Sequence, residues 1–110
     1  MSDVLDDLRS ASEGLLYPSE SDAPFELVRF GALDDIITNR PFKEQTLDQF
    51  FAELLTSDDA DRYRALRQTL ESRLTNLKVL RIGSIQVEVY IVGQTTTGAW
   101  AGLRTTSIET

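Results

Sequence analysis

The sequence contains no cysteine and no histidine among its 110 residues. The absence of cysteine excludes disulfides, thiol nucleophiles and cysteine-bound metals, and it leaves the redox compartment undetermined. With histidine missing too, the usual general bases for nucleophilic catalysis at neutral pH are lost. Lys43 and Lys78 are then the lysines that could activate a serine, and nothing around them indicates such a dyad. We therefore predict a protein that is not an enzyme and has no cofactor.

Long hydrophobic runs are also missing. No stretch of about 18 apolar residues could span a bilayer, and the start MSDVLDDLRS lacks the basic region and apolar core of a signal peptide. A cytosolic location without a membrane partner is expected. Hydrophobic residues nevertheless make up 41% of the chain, which is enough for one folded domain over residues 1–110 without disulfide or metal support.

Basic charge is scarce in the first half of the sequence. The net charge is −7, but residues 1–61 contain 15 acidic and 4 basic residues, whereas residues 62–110 contain 3 and 7. One interpretation is an acidic cytosolic protein with one helix whose outer face needs solvating. The acidic excess argues against a nucleic-acid binder. It is compatible with a ligand for a protein that is itself basic because it binds nucleic acid.

Three alternating runs near the C-terminus predict antiparallel strands over residues 78–82, 85–92 and 99–108. Gly83-Ser84 between the first two runs suits a tight type II′ hairpin turn. In the second run one face carries Ile85, Val87, Val89 and Ile91, while the other face is mixed. A three-stranded meander with covering elements on both faces is therefore predicted, and the sequence ends directly after the third strand.

The rest of the sequence predicts an α+β protein with about four strands in its sheet. The further predicted elements are a helix over 2–15 ending near Gly14, an ordered loop over 17–24, a strand over 25–30, a short helix within 31–43, a helix capped by Thr46, and a long helix from 57 or 58 to about 75. We expect Tyr63, Leu66, Leu70 and Leu74 to face inward from the long helix. The side chains predicted to share one core are Trp100, Leu103, Val87, Val89, Ile91, Leu66 and Leu70.

Two groups of oxygen-bearing side chains are candidate binding residues. Ser19, Glu20 and Ser21 lie in a short loop between two prolines, which is either a solvated turn or a rigidly presented acidic segment. Glu109 and Thr110 bring a side-chain carboxylate, a hydroxyl and a terminal carboxylate together, which are hard donors of the kind magnesium accepts. The ordinary interpretation of that end is a frayed terminus.

Two blocks of the sequence resemble the nuclease A inhibitor family. They are VLRIGSIQVEVYIVGQTTTGAWAGLRTTSIET at the C-terminus and ASEGLLYPSESDAPFE near the N-terminus. The founding member of that family is a small acidic protein that blocks a secreted, sugar-non-specific, metal-dependent endonuclease. The middle of the chain departs from the family, because LLTSDDADRY stands where the founding inhibitor has an acidic, tryptophan-containing segment.

The resemblance implies a three-layer α/β/α sandwich that inhibits such an endonuclease, has no direct nucleic-acid partner and is a monomer when free. It implies that the C-terminal Glu109-Thr110 enters the nuclease active site, with the Thr110 hydroxyl coordinating the partner's metal. It also assigns a contact role to Glu20 within Ser19–Ser21. The alternative is a diverged interaction module with another protein partner, since aromatic anchors are often interface hot spots.

Overall fold

The computed structural model of the protein describes residues 4–17, 23–32, 34–37, 41–54, 60–83 and 85–108. They form an α+β fold, as predicted. The helices are α1 (Val4–Ser12), α2 (Asp34–Ile37), α3 (Leu47–Leu54) and α4 (Ala60–Arg73). The strands are β1 (Leu16–Tyr17), β2 (Ala23–Pro24), β3 (Glu26–Phe30), β4 (Phe42–Gln45), β5 (Thr75–Ile82), β6 (Gln86–Gln94) and β7 (Trp100–Ile108).

The main sheet is antiparallel and has five strands in the order β3-β7-β6-β5-β4. The predicted C-terminal meander is confirmed, and it occupies the centre of this sheet. The predicted two-residue turn is wrong. Ile82 pairs with Glu88, so five residues separate the last paired positions of β5 and β6, where a two-residue turn would pair Ile82 with Ile85.

Strand β4 was not predicted, because its residues gave no clear alternation of apolar and polar side chains. Phe42, Lys43 and Glu44 are all exposed. The strand pairs with β5 at the edge of the sheet. Pro41 directly precedes it, and a proline without an N–H donor is tolerated at an edge.

One face of the sheet packs against α1, α3 and α4. Its buried cluster consists of Leu8, Leu15, Phe50, Phe51, Leu54, Tyr63, Leu66, Leu70, Leu74, Val79, Val87, Val89, Ile91, Ala101 and Leu103. The predicted inward stripe of α4 is thereby confirmed. So is the predicted shared core, with one correction: Trp100 packs against the opposite face. Ile85, predicted to share a strand face with Val87, Val89 and Ile91, is exposed.

The opposite face has its own cluster, formed by Ile36 of α2 with Leu80, Ile82, Tyr90 and Val92. Trp100 packs against this second cluster. Side chains alternate along a strand, so Trp100 and Leu103, three residues apart on β7, lie on opposite faces. The prediction of cover on both faces is confirmed. On the second face α2 is a single turn, so the full three-layer sandwich stays a prediction.

Local signals set the helix ends. Thr46 and Gln49 form a reciprocal capping box at the start of α3, with both bonds between backbone N–H and side-chain oxygen at 3.1 Å. Gly14 has φ +78°, as a left-handed residue after a helix requires. Helix α1 nevertheless ends at Ser12, earlier than the predicted residue 15, while the predicted starts at 2 and at 57 or 58 lie outside the described residues.

Candidate partner-binding end of the sheet

The residues that the sequence nominated for binding lie outside the described part of the chain. These residues are Ser19, Glu20, Ser21, Glu109 and Thr110. The structure does describe the positions that flank them, namely Tyr17, Ala23 and Ile108. The positions of these flanking residues show where on the molecule the two candidate segments, residues 18–22 and 109–110, are attached.

Strands β1 and β2 bring the two flanks of residues 18–22 together. Leu16 pairs with Pro24, and Tyr17 pairs with Ala23, in a two-stranded antiparallel sheet. The predicted ordered loop over 17–24 is therefore corrected at both of its ends, which are paired strands. Two residues per strand are too few to show an alternating pattern in a sequence.

This hairpin contacts the C-terminal half of β7. The hydroxyl of Thr105, a residue only 2% exposed, donates to the carbonyl oxygen of Ala23 at 3.4 Å. Thr105 lies three positions before Ile108, which corresponds to about 10 Å along a strand. Both candidate segments thus depart from the same end of the sheet.

An arginine joins three strands at this end. Arg104 of β7 donates from Nη1 to Oε2 of Glu26 on β3 and from Nη2 to Oε1 of Glu88 on β6, each at 2.9 Å. Its guanidinium carbon also lies 6.0 Å from the centre of the Tyr90 ring. The hydrogen bond to Glu88 raises the pKa of Arg104 above its ordinary value, so this guanidinium stays charged.

The Arg104 cross-link lies where the pairing of β3 with β7 ends, at Glu26 opposite Arg104. From there β7 continues beside β6 to Ile108, which pairs with Gln86. Sequence reasoning missed this cluster, because Glu26, Glu88 and Arg104 become neighbours only once the strand register is known. The last described residues of β7 are thus paired with β6 up to Ile108.

A comparison with known families bears on the kind of partner that the protein binds. The sequence model of the nuclease A inhibitor-like proteins matches residues 2–110. The chain belongs to the nuclease A inhibitor-like family. No curated protein matches it. The family match includes the middle of the chain, where the resemblance in individual residues was poor, and membership in an inhibitor family implies a protein partner such as a nuclease.

In this nuclease A inhibitor-like protein, many basic residues of the second half of the sequence form ion pairs or hydrogen bonds within the protein. Four arginines of α4 are paired. Arg73 binds Asp7 of α1 at 3.1 Å, Arg67 binds Asp48 of α3, and Arg62 donates to the carbonyl of Glu13 just after α1. Two further pairs lie within α4, Arg64 with Asp61 at 2.8 Å and Arg67 with Glu71 at 2.9 Å. The hydrogen bond to Asp48 raises the pKa of Arg67. The pairs of Arg73 with Asp7 and of Arg67 with Asp48 connect α4 to the acidic helices α1 and α3.

A cleft of about 430 Å³ opens between the end of α1 and strands β2 and β3. Its wall includes the buried Ser12, whose hydroxyl donates to the Leu8 carbonyl at 2.7 Å.

The described residues contain no group of three or more Asp or Glu side chains able to hold a metal ion. Within the same residues, no helix is long and apolar enough to cross a membrane.

Proposed function

We propose that this family member inhibits a sugar-non-specific, metal-dependent endonuclease by inserting its C-terminal residues into the active site. The observation that carries the proposal is the course of β7, a central strand that pairs with β6 as far as Ile108. Because Ile108 is held in the sheet, the inserting part consists of Glu109 and Thr110. A plug this short, leaving a rigid strand, loses little conformational entropy on binding.

The chemistry of the two last residues suits such an active site. The Thr110 hydroxyl and the terminal carboxylate are hard oxygen donors, as a catalytic magnesium ion prefers. The carboxylate of Glu109 carries the negative charge that a substrate phosphate would bring. These groups occupy the positions of phosphate and metal-bound water but contain no phosphodiester bond to cleave, so the complex is a dead end.

Glu20, within Ser19–Ser21, supplies a second contact in this proposal. The hairpin that flanks it is bonded to Thr105, three residues before Ile108 on β7. This neighbourhood supports a single interface that includes both segments. Glu20 would pair with a cationic group at the nuclease active site, where such groups normally bind phosphate.

The overall charge supports the same target class. A protein with net charge −7 is attracted by an enzyme whose cleft is basic because it binds nucleic acid, and this attraction speeds association at low salt. We propose that the inhibitor is a cytosolic monomer and that one copy binds one nuclease molecule.

An extension experiment tests the proposal. The purified protein is titrated against a sugar-non-specific, magnesium-dependent endonuclease, alongside two matched variants that carry the same four-residue extension at either the C-terminus or the N-terminus. We expect the parent and the N-terminal extension to inhibit with one-to-one stoichiometry, and the C-terminal extension to lose inhibition at unchanged thermal stability. Equal inhibition by both extensions would contradict insertion of the C-terminus.

The departure from the founding inhibitor in the middle of the chain favours one alternative, a protein-interaction module with another partner. Residues 55–59, half of that segment, lie outside the described residues. The same titration discriminates the two functions. A diverged module would leave the endonuclease fully active at a large excess of the parent protein.

A further inference from the structure

Ile85 is the most exposed large hydrophobic residue in the described part of the chain. It is 65% exposed, and Phe42 at 45% is the other large hydrophobic residue that is exposed there. An isolated exposed apolar side chain needs no explanation on a protein surface. Ile85 is of interest because it lies beside the end of β7.

Ile85 directly precedes Gln86, the residue that pairs with Ile108 at the end of β7. Neighbouring strands lie about 4.8 Å apart. The backbone of Ile85 is therefore about one strand spacing to the side of the line along which β7 leads towards residues 109 and 110. Any surface that receives the C-terminus comes close to Ile85.

The connection between β5 and β6 is built so that Ile85 lies outside the core. Gly83 has φ +113°, and a Cβ atom there would lie 2.5 Å from the carbonyl oxygen of Gln86. Only glycine fits this bend. Val87, Val89 and Ile91 on the same strand face are buried against the helices, whereas Ile85 lies past the region that the helices cover.

We propose that Ile85 is an apolar anchor that packs on the endonuclease surface beside its active-site cleft while the C-terminus is inserted. The inference rests on the proposed function and adds a contact surface to it. Interfaces gain most of their affinity from a few apolar side chains near the centre, surrounded by a polar rim. Gln86, which follows Ile85 in the sequence, is polar and exposed.

The test compares Ile85→Ser with Ile85→Leu, two variants of equal charge that differ in polarity. Inhibition constants are measured against a purified sugar-non-specific, magnesium-dependent endonuclease at fixed salt. Burying an isoleucine side chain against a partner contributes a binding free energy that corresponds to roughly a tenfold change in affinity or more. We expect Ile85→Ser to inhibit about ten- to thirtyfold more weakly than the parent and Ile85→Leu to stay within about threefold.

Phe42→Ser is the matched control for loss of an exposed apolar side chain. Phe42 lies on β4, three strands away from β7, and we expect less than about a threefold loss of inhibition from this variant. An equal loss from Ile85→Ser and Phe42→Ser would overturn a contact beside the terminus. So would unchanged inhibition by Ile85→Ser, or a change in its melting temperature that accounts for the loss.

Two outcomes separate the anchor from the proposed function. If the parent inhibits and Thr110→Val weakens inhibition but Ile85→Ser does not, insertion stands and the anchor is wrong. If the parent does not inhibit, both are wrong. Sedimentation of the parent provides the last check: if Ile85→Ser dissociates a dimer without changing inhibition, the exposed isoleucine belongs to an interface between two copies, and the proposal is overturned.

Discussion

Arg104 and Glu88 are joined across β7 and β6 by a hydrogen bond of 2.9 Å between Nη2 and Oε1. The same guanidinium binds Glu26 on β3, so one side chain holds three strands together. Arg104→Met removes these bonds and leaves Glu88, whose side chain is only 24% exposed, without its charged partner. We expect a loss of about 1–2 kcal/mol in the free energy of unfolding, measured by urea denaturation.

Arg104→Lys is the control for that variant, because a single ammonium group lacks the planar fork that serves two carboxylates. It should recover part of the loss. If Arg104→Met unfolds at the same urea concentration as the parent, the cross-link does not stabilise this end of the sheet.

Leu70 lies at the centre of the α4 stripe and is fully buried. Leu70→Ala leaves a cavity between α4 and the sheet, and it should lower the free energy of unfolding by about 2–5 kcal/mol. Gln68→Ala, an exposed change two residues away on the same helix, should change it by less than about 0.5 kcal/mol. Equal denaturation midpoints for the two variants would show that α4 does not pack through Leu70.

Gly102 on β7 lies against the backbone of β6. A Cβ atom there would lie 2.0 Å from the carbonyl oxygen of Ile91, whereas one at Gly31 would meet only a side-chain oxygen of Asp35 at 3.8 Å. Gly102→Ala must therefore displace β6 or β7, and it should destabilise the protein by about 1–3 kcal/mol or more. Gly31→Ala should be close to neutral, and similar melting temperatures for the two variants would contradict this packing.

Glu20 is expected to matter for binding and not for folding. In the proposed complex, Glu20→Ala removes a carboxylate that pairs with a cationic group of the nuclease, so inhibition should weaken most at low salt. Glu44→Ala removes the same charge from the far edge strand, where Glu44 pairs with Lys78 at 3.2 Å. If Glu20→Ala inhibits as well as Glu44→Ala across a salt series, Glu20 is a solvated turn residue.

Strong local patterns made much of the fold predictable. The meander was predicted from alternating runs, clearest in β6, and α4 from the spacing of Leu66 and Leu70. Strand β4 was not predicted because it is short and forms by pairing with the distant residues of β5. The β1–β2 hairpin was not predicted because each of its strands has only two residues. The prediction that Trp100 shares a core with Leu103 was wrong because side chains alternate between the two faces along β7.

The candidate site was less accessible from sequence. Composition alone left Glu20 and Thr110 as ordinary surface residues, and the family resemblance supplied their roles. The neighbourhood that supports one shared interface depends on the contact between Thr105 and Ala23, 82 residues apart in the chain. The Arg104 cluster and the exposure of Ile85 depend in the same way on strand register, which no local pattern reveals.

The insertion of Thr110 into the nuclease active site is the central claim, and the hydroxyl group is its most specific element. Thr110→Val keeps the size of the side chain and the terminal carboxylate but removes the proposed metal ligand, whereas Thr110→Ser keeps the hydroxyl. The decisive measurement is the inhibition constant of both variants against a sugar-non-specific endonuclease at fixed magnesium. The account predicts at least about a tenfold weaker inhibition by Thr110→Val and near-parental inhibition by Thr110→Ser. Equal inhibition by Thr110→Val, Thr110→Ser and the parent would contradict it.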